Sequence, residues 1–199
     1  NQAVGLTRGS NDRALFARGR LHLDRKDWEA AIQDFNAVLQ LKPDHIDSLN
    51  QRGWAFFCKG DLVRALADVD RVLALEPRHA SVLVVKGRLL FRNKDWMGAV
   101  EVFSQALQLE PENFQARLLR GAACYNKGCL KEAVEDLDAC LEARPDHHGA
   151  RYFRGVARRA AGDVKGAQED LREALRNAPS DWPEAFSVEQ ILKKLEEPP

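Results

Sequence analysis

Residues 46–79 read IDSLNQRGWAFFCKGDLVRALADVDRVLALEPRH. Within them Trp54, Phe56, Phe57 and Cys58 crowd around Gly53, just behind Arg52. Taken alone, that cluster suits a small-molecule pocket, a reactive thiol or a membrane-seeking patch. A glycine inside an apolar helical pattern costs about 1 kcal/mol against alanine and so needs a reason. The rest of the chain supplies one. Gly53 belongs to the series Gly19, Gly53, Gly87, Gly121 and Gly155, spaced by 34 residues throughout. Pro43, Pro77, Pro111, Pro145 and Pro179 keep the same spacing. So do Ala31, Ala65, Ala99, Ala133 and Ala167, and Leu39, Leu73, Leu107, Leu141 and Leu175. Four series in phase define five units, 12–45, 46–79, 80–113, 114–147 and 148–181.

Each unit reads as two helices. The first spans roughly the second to fourteenth positions, and a tight turn follows, with Gly60, Gly128 and Gly162 in three units. Asp27, Asp61, Asp95 and Asp163 suit the N-cap of the second helix, where a carboxylate accepts orphan backbone N–H groups. Cys129 takes that place in the fourth unit, which predicts the weakest start. The late proline stops the second helix. The eighth-position glycine and twentieth-position alanine then mark where two antiparallel helices approach closely, and a larger side chain there would push them apart.

This pattern resembles the tetratricopeptide repeat (TPR) family. That family places a large apolar residue at position four, Gly or Ala at eight, a large residue at eleven, Ala at twenty, a large residue at twenty-four, a small one at twenty-seven and Pro at thirty-two. The second unit supplies Leu49, Gly53, Phe56, Ala65, Val69, Val72 and Pro77; the third supplies Leu83, Gly87, Leu90, Ala99, Phe103, Ala106 and Pro111. Arg117 and Arg151 at position four and Arg158 at position eleven depart from it and suggest a looser, more polar groove wall in the last two units. The resemblance implies an all-α fold: a right-handed alpha-alpha superhelix (TPR solenoid) of helix-turn-helix repeats with a C-terminal capping helix.

The ends are expected to differ from the units between them. Residues 182–199 continue the phase for half a unit, with Ala185, Val188 and Leu192 on a first-helix pattern but Glu189 in the glycine position. Asp181 with Glu184 reads as a capping box. This stretch is expected to be a solvating helix and tail. Residues 1–11 read as a linker, tag remnant or frayed end, and Asn1 in place of Met reads as a chain cut or processed from something longer.

Composition narrows the function classes. Thirty basic residues balance thirty acidic ones, which gives no global pull toward nucleic acid or an acidic membrane. No apolar run reaches the length of a bilayer span, and no signal peptide is visible. Cys58, Cys124, Cys129 and Cys140 form no C-x-x-C pair and lack zinc-finger spacing, so reduced thiols in a cytoplasmic protein are expected. There is no G-x-S-x-G, P-loop or H-E-x-x-H. His45, His79 and His147 recur at the unit boundary and read as turn or cap residues; His147–His148 lacks a third metal ligand. No enzyme activity, cofactor or metal is expected.

Position seven is basic in every unit: Arg18, Arg52, Lys86, Arg120 and Arg154. This row could track phosphates or an acidic peptide. The better reading is an ion pair within each unit, because Asp34, Asp68, Asp136 and Asp170 stand at position twenty-three, and the one lysine unit has Val102 there. In TPR arrays the concave face is lined by positions two, five, six, nine, twelve and thirteen. Carried onto this chain, that face holds Arg20 and Asp24, then Asn50, Gln51, Trp54, Phe57 and Cys58. Next come Val84, Val85, Arg88, Phe91 and Arg92, then Leu118, Leu119, Tyr125 and Asn126, and finally Tyr152 and Phe153. An apolar groove edged by Arg20, Arg88, Arg92 and Arg159 suits a protein or peptide segment, amphipathic and carrying some acids.

Two special uses of the family fail on residue identity. The positions of the clamp for acidic chaperone tails hold Phe16, Arg20, Gln51, Ser81 and Val85, so chaperone-tail binding is disfavoured. The sixth-position asparagine ladder is replaced by Ala17, Gln51, Val85, Leu119 and Phe153. The expected function is a scaffold or adaptor that binds a partner segment in the concave groove. A structural subunit docking by its convex face or by homo-oligomerisation is the alternative, and a non-catalytic targeting module of a larger enzyme the remote one.

Overall fold

The structure, a computed structural model, describes residues 2–196, with side chains from residue 11 onward. Asn1 and residues 197–199, the end of the expected tail, lie outside the described residues. Among those described, eleven α-helices account for all regular structure. They are α1 (Gln2–Asp24), α2 (Trp28–Leu41), α3 (Ile46–Cys58), α4 (Leu62–Leu75), α5 (Ala80–Arg92) and α6 (Trp96–Leu109). Then follow α7 (Phe114–Lys127), α8 (Leu130–Ala143), α9 (His148–Ala160), α10 (Val164–Asn177) and α11 (Ala185–Glu196). The chain divides into two compact units after Asn93. In the first, α1 to α5 pack consecutively, and α1 also meets α3. In the second, α6 to α11 pack consecutively, and α7 also meets α9.

Local chemistry explains the hairpins. Gly60, Gly128 and Gly162 turn the chain at φ of 82°, 93° and 88°. Lys26 and Lys94 hold the same position at φ 61°, a left-handed conformation that costs an L-residue about 1–2 kcal/mol. Asp27, Asp61, Asp95 and Asp163 accept from the backbone N–H of Ala30, Arg64, Gly98 and Gly166, as expected of N-caps. Cys129 makes no such bond, so α8 does start uncapped. His45 and His147 cap α3 and α9 by accepting at Nδ1 from Ser48 and Ala150. His79 does not cap α5; its Nδ1 lies 3.0 Å from Ser81 Oγ instead.

The close helix approach is visible around the glycines. The twentieth-position alanines are fully buried. A Cβ on Gly19 would fall 2.7 Å from Phe35, and one on Gly121 or Gly155 would fall 2.9 Å from Leu137 or Leu171. Gly53 is the exception. A Cβ there would meet Asp68 Cβ at 3.4 Å, the Ala65 carbonyl at 3.6 Å and Val69 at 3.9 Å, all ordinary contacts. The reading of glycine as a steric necessity therefore holds at three positions and not at Gly53.

The position-seven row is held by carboxylates. Arg18, Arg52, Arg120 and Arg154 each donate twice, through Nε and Nη2, to Asp34, Asp68, Asp136 and Asp170, over 2.5–2.9 Å. From Arg52, Arg120 and Arg154 a third bond, not foreseen from sequence, runs to the preceding repeat. Arg52 donates to Asn36, Arg120 to Ser104 and Arg154 to Asp138, while Lys86 pairs with Asp70 at 2.8 Å. The pairing satisfies carboxylates that are nearly fully buried and would be costly alone. The bond to Asp136 raises the pKa of Arg120. Burial works against the charge of Arg154, but its bonds to Asp170 and Asp138 outweigh it and raise the pKa.

Three expectations are corrected here. Helix α1 begins at Gln2, inside the stretch read as a linker, tag remnant or frayed end. The arginines at positions four and eleven do not loosen a groove wall. Arg117 and Arg151 donate to the carbonyls of Pro111 and Pro145, and Arg158 joins Arg154 on Asp170. Finally, α11 starts at Ala185, after a turn closed by Trp182 N–H to Pro179 O and Ala185 N–H to Trp182 O. No side-chain cap from Asp181 is formed, because that turn separates it from the helix. The helix then packs on α10, burying Val188 and Leu192 beside Leu171.

Candidate functional site

Helices α3 and α5 enclose a recess of about 230 Å³. Asn50, Trp54 and Phe57 line it from α3, and Ser81, Val85 and Arg88 from α5. Gly53, Val69, Val82 and Leu89 close its floor, and His79 stands at the start of α5. The recess is mainly apolar. Trp54 stacks on Phe57 with ring centroids 5.3 Å apart and remains 47% exposed, although it is one of the largest apolar surfaces of the chain. The Arg92 guanidinium also lies over Phe57, 4.7 Å from its centroid. Arg88 is exposed and has no ion pair among the described residues.

The origin of the recess is a difference in volume. Position twenty-four carries Phe35, Leu137 or Leu171 in other repeats, each pressed against the glycine opposite. In the second repeat it carries Val69, and the space left beside Gly53 becomes part of the floor. A void without partner atoms forfeits dispersion contacts, so an apolar guest in that place gains what the fold has given up.

Of the residues expected on the groove, Asn50, Trp54, Phe57, Val85 and Arg88 come together here, with Arg92 over Phe57. Gln51 is half-buried and Arg20 exposed, and neither lines the recess. Val84 and Leu118 do not form a groove surface. They are 8% and 9% exposed, and Leu118 packs against Leu137, Cys140 and Leu141. Asn50 holds the same fifth position and does line the recess, so it is the packing of Leu118 on α8, not its position, that makes it core. In the second unit Leu119 is half-buried, and Tyr125 packs partly against core. Asn126 donates to the Ala122 carbonyl of its own helix. Tyr152 lies edge-on to Trp182, with centroids 5.7 Å apart, and beside Phe153, so its ring is largely covered. Sequence reasoning missed the floor residues together with His79 and Ser81. The available signal was Val69, the smallest residue at its position.

Burial disfavours the thiolate at three of the cysteines. Burial pushes the thiols of Cys124 and Cys140 up to about 11, and burial also raises Cys58 against the pull of Arg92. Among the described residues no group of three or more His, Cys, Asp or Glu could hold a metal ion. No helix among them is long and apolar enough to cross a membrane.

Comparison with known proteins places these features. Tetratricopeptide repeat models match residues 12–45, 50–109, 84–148 and 128–181. No curated protein matches. Among solved structures, a tetratricopeptide repeat protein from Parabacteroides merdae superposes with a TM-score of 0.84 at 18% identity, over 94% of this chain and 73% of its own. MamA (41-end) from Desulfovibrio magneticus RS-1 gives 0.78 at 20% identity, covering 94% of this chain and 98% of its own. YrrB, described as a TPR protein with an unusual peptide-binding site, gives 0.75 at 21% identity, covering 88% and 90%. The likeness in structure shows a shared fold, the repeat models cover most of the sequence, and the chain belongs to the tetratricopeptide repeat family.

Proposed function

We propose that this chain is an adaptor whose recess between α3 and α5 anchors a short segment of a partner protein. The TPR fold is a protein–protein interaction module, and that much follows from the family. The observation that carries the finer reading is Trp54: a tryptophan left 47% exposed on the wall of an apolar recess, braced by Phe57. Aromatic side chains of this kind dominate binding energetics at interfaces. The peptide-binding site described for YrrB, a protein of the same fold, supports the same use of a TPR face. The site differs from the chaperone-tail clamp, whose basic and asparagine positions are not met here. The scaffolding role follows the use of the family as an interaction module, and the free thiols suit a cytoplasmic setting.

The test is selection of a displayed random-peptide library on the immobilised chain, with and without Trp54→Ala. Peptides should be enriched on the native chain and lost on the variant, while far-UV circular dichroism stays unchanged. Equal enrichment on both chains would place binding elsewhere.

A further inference from the structure

We infer that the recess is built for one large apolar side chain of an acidic segment, with Arg88 and Arg92 receiving the carboxylates beside that anchor; this rests on the peptide-binding reading. Size selects the anchor. The recess, about 230 Å³, is below the roughly 300–1,000 Å³ of small-molecule and cofactor sites. It exceeds the ~150 Å³ of an apolar cavity that holds benzene. A phenyl or leucyl group fits it. Such a group would stand on Gly53 and Val69 and pack against the Trp54–Phe57 wall.

Charge selects what flanks the anchor. No carboxylate lines the recess, and its one full charge is Arg88. Glu76 approaches only His79, 3.8 Å from Nε2, from outside the lining. The position-seven arginines are all committed to aspartates, yet Arg88 has no ion pair among the described residues. Arg92 sits over Phe57, is exposed, and makes no ion pair among the described residues, so its N–H donors are available to a ligand. Two guanidinium groups without a carboxylate partner beside an apolar recess favour an acidic partner and oppose a basic one.

The probes are peptides from the displayed library, synthesised with capped ends and titrated by the fluorescence change of the chain. Enriched sequences should share one Phe or Leu with Asp or Glu beside it. Changing those acids to lysine should abolish binding. Arg88→Gln with Arg92→Gln should weaken it about tenfold or more, the loss expected for hydrogen bonds to charged groups. Gly53→Ala should weaken it about tenfold by raising the floor, with no loss of thermal stability, because its Cβ meets only ordinary contacts. Enriched peptides without acids, or affinity unchanged in the double arginine variant, would overturn the acidic class while leaving peptide binding intact. Unchanged affinity in Gly53→Ala would overturn the anchor in the recess. If no peptide is enriched, the peptide-binding reading fails first and this inference falls with it.

Discussion

The second and fourth repeats are built on one skeleton and finished differently. In both, the position-seven arginine donates twice to an aspartate of its own repeat and once to the preceding one. In both, a glycine stands where the paired helices approach. But Gly121 faces Leu137, fully buried and already at the contact limit, whereas Gly53 faces Val69 with space to spare. The second helix of the second repeat is capped by Asp61, and that of the fourth begins on Cys129 without a cap. A shared polar brace and a shared backbone contact thus fix the hairpin. One side chain's volume is then free to decide whether a repeat is filled or hollow.

That comparison can be broken most severely at its common part. Asp136→Ala would leave Arg120 half-buried without its main partner and should cost about 3–5 kcal/mol in chemical denaturation. Arg120→Gln and Asp136→Asn should lose less together than the sum of their separate losses; additive losses would show the pair to be uncoupled. The next effect separates the two repeats. Gly121→Ala should cost about 1–3 kcal/mol by overpacking against Leu137, and Leu137→Val in the same chain should recover much of it. The matching change Gly53→Ala should be neutral or stabilise by up to about 1 kcal/mol. Equal costs at both glycines in thermal melts would mean that Val69 does not set the space.

Smaller changes sharpen the contrast. Cys129→Asp should give the fourth repeat the cap that the second has, a gain of about 0.5–2 kcal/mol with slower hydrogen exchange in the first turn of α8. The smallest effect concerns pH. Burial, with the nearby charges of His148 and Arg144, lowers the pKa of His147 below its ordinary 6.5. The folded protein therefore takes up this proton less readily than the unfolded chain, so stability is complete above that ordinary value. It is lost as pH falls through the lowered one, where protonation also removes the acceptor that caps α9. Denaturation midpoints of His147→Asn should show a shallower fall with pH over that range.

The repeat period, the hairpins and the bonds within each repeat were legible because each is written at fixed positions by residues with one physical role. The replacement of aspartate by Val102 opposite Lys86 even revealed the pairing by exception. The third bond of Arg52, Arg120 and Arg154 was not legible, since its acceptor varies among Asn36, Ser104 and Asp138 and lies in another repeat. The groove was legible only as a list of positions. Whether a listed side chain points outward depends on its neighbours, so Trp54 and Phe57 line the recess while Val84 and Leu118 are core. The recess itself came from an omission of volume at Val69, which a repeat pattern registers merely as one more apolar residue.

The two-way bonding of Arg52, Arg120 and Arg154 bears on how such a chain could be rearranged. A cut at a proline turn separates each of these arginines from its acceptor in the preceding repeat. A cut at the mid-repeat turn separates it from its own aspartate. The 34-residue period is therefore the unit of spelling but not the unit of exchange: a repeat transplanted into another array carries an arginine whose second acceptor stays behind. Shuffled or consensus versions of these repeats should be joined only where the incoming neighbour offers an oxygen at the position of Asn36, Ser104 or Asp138.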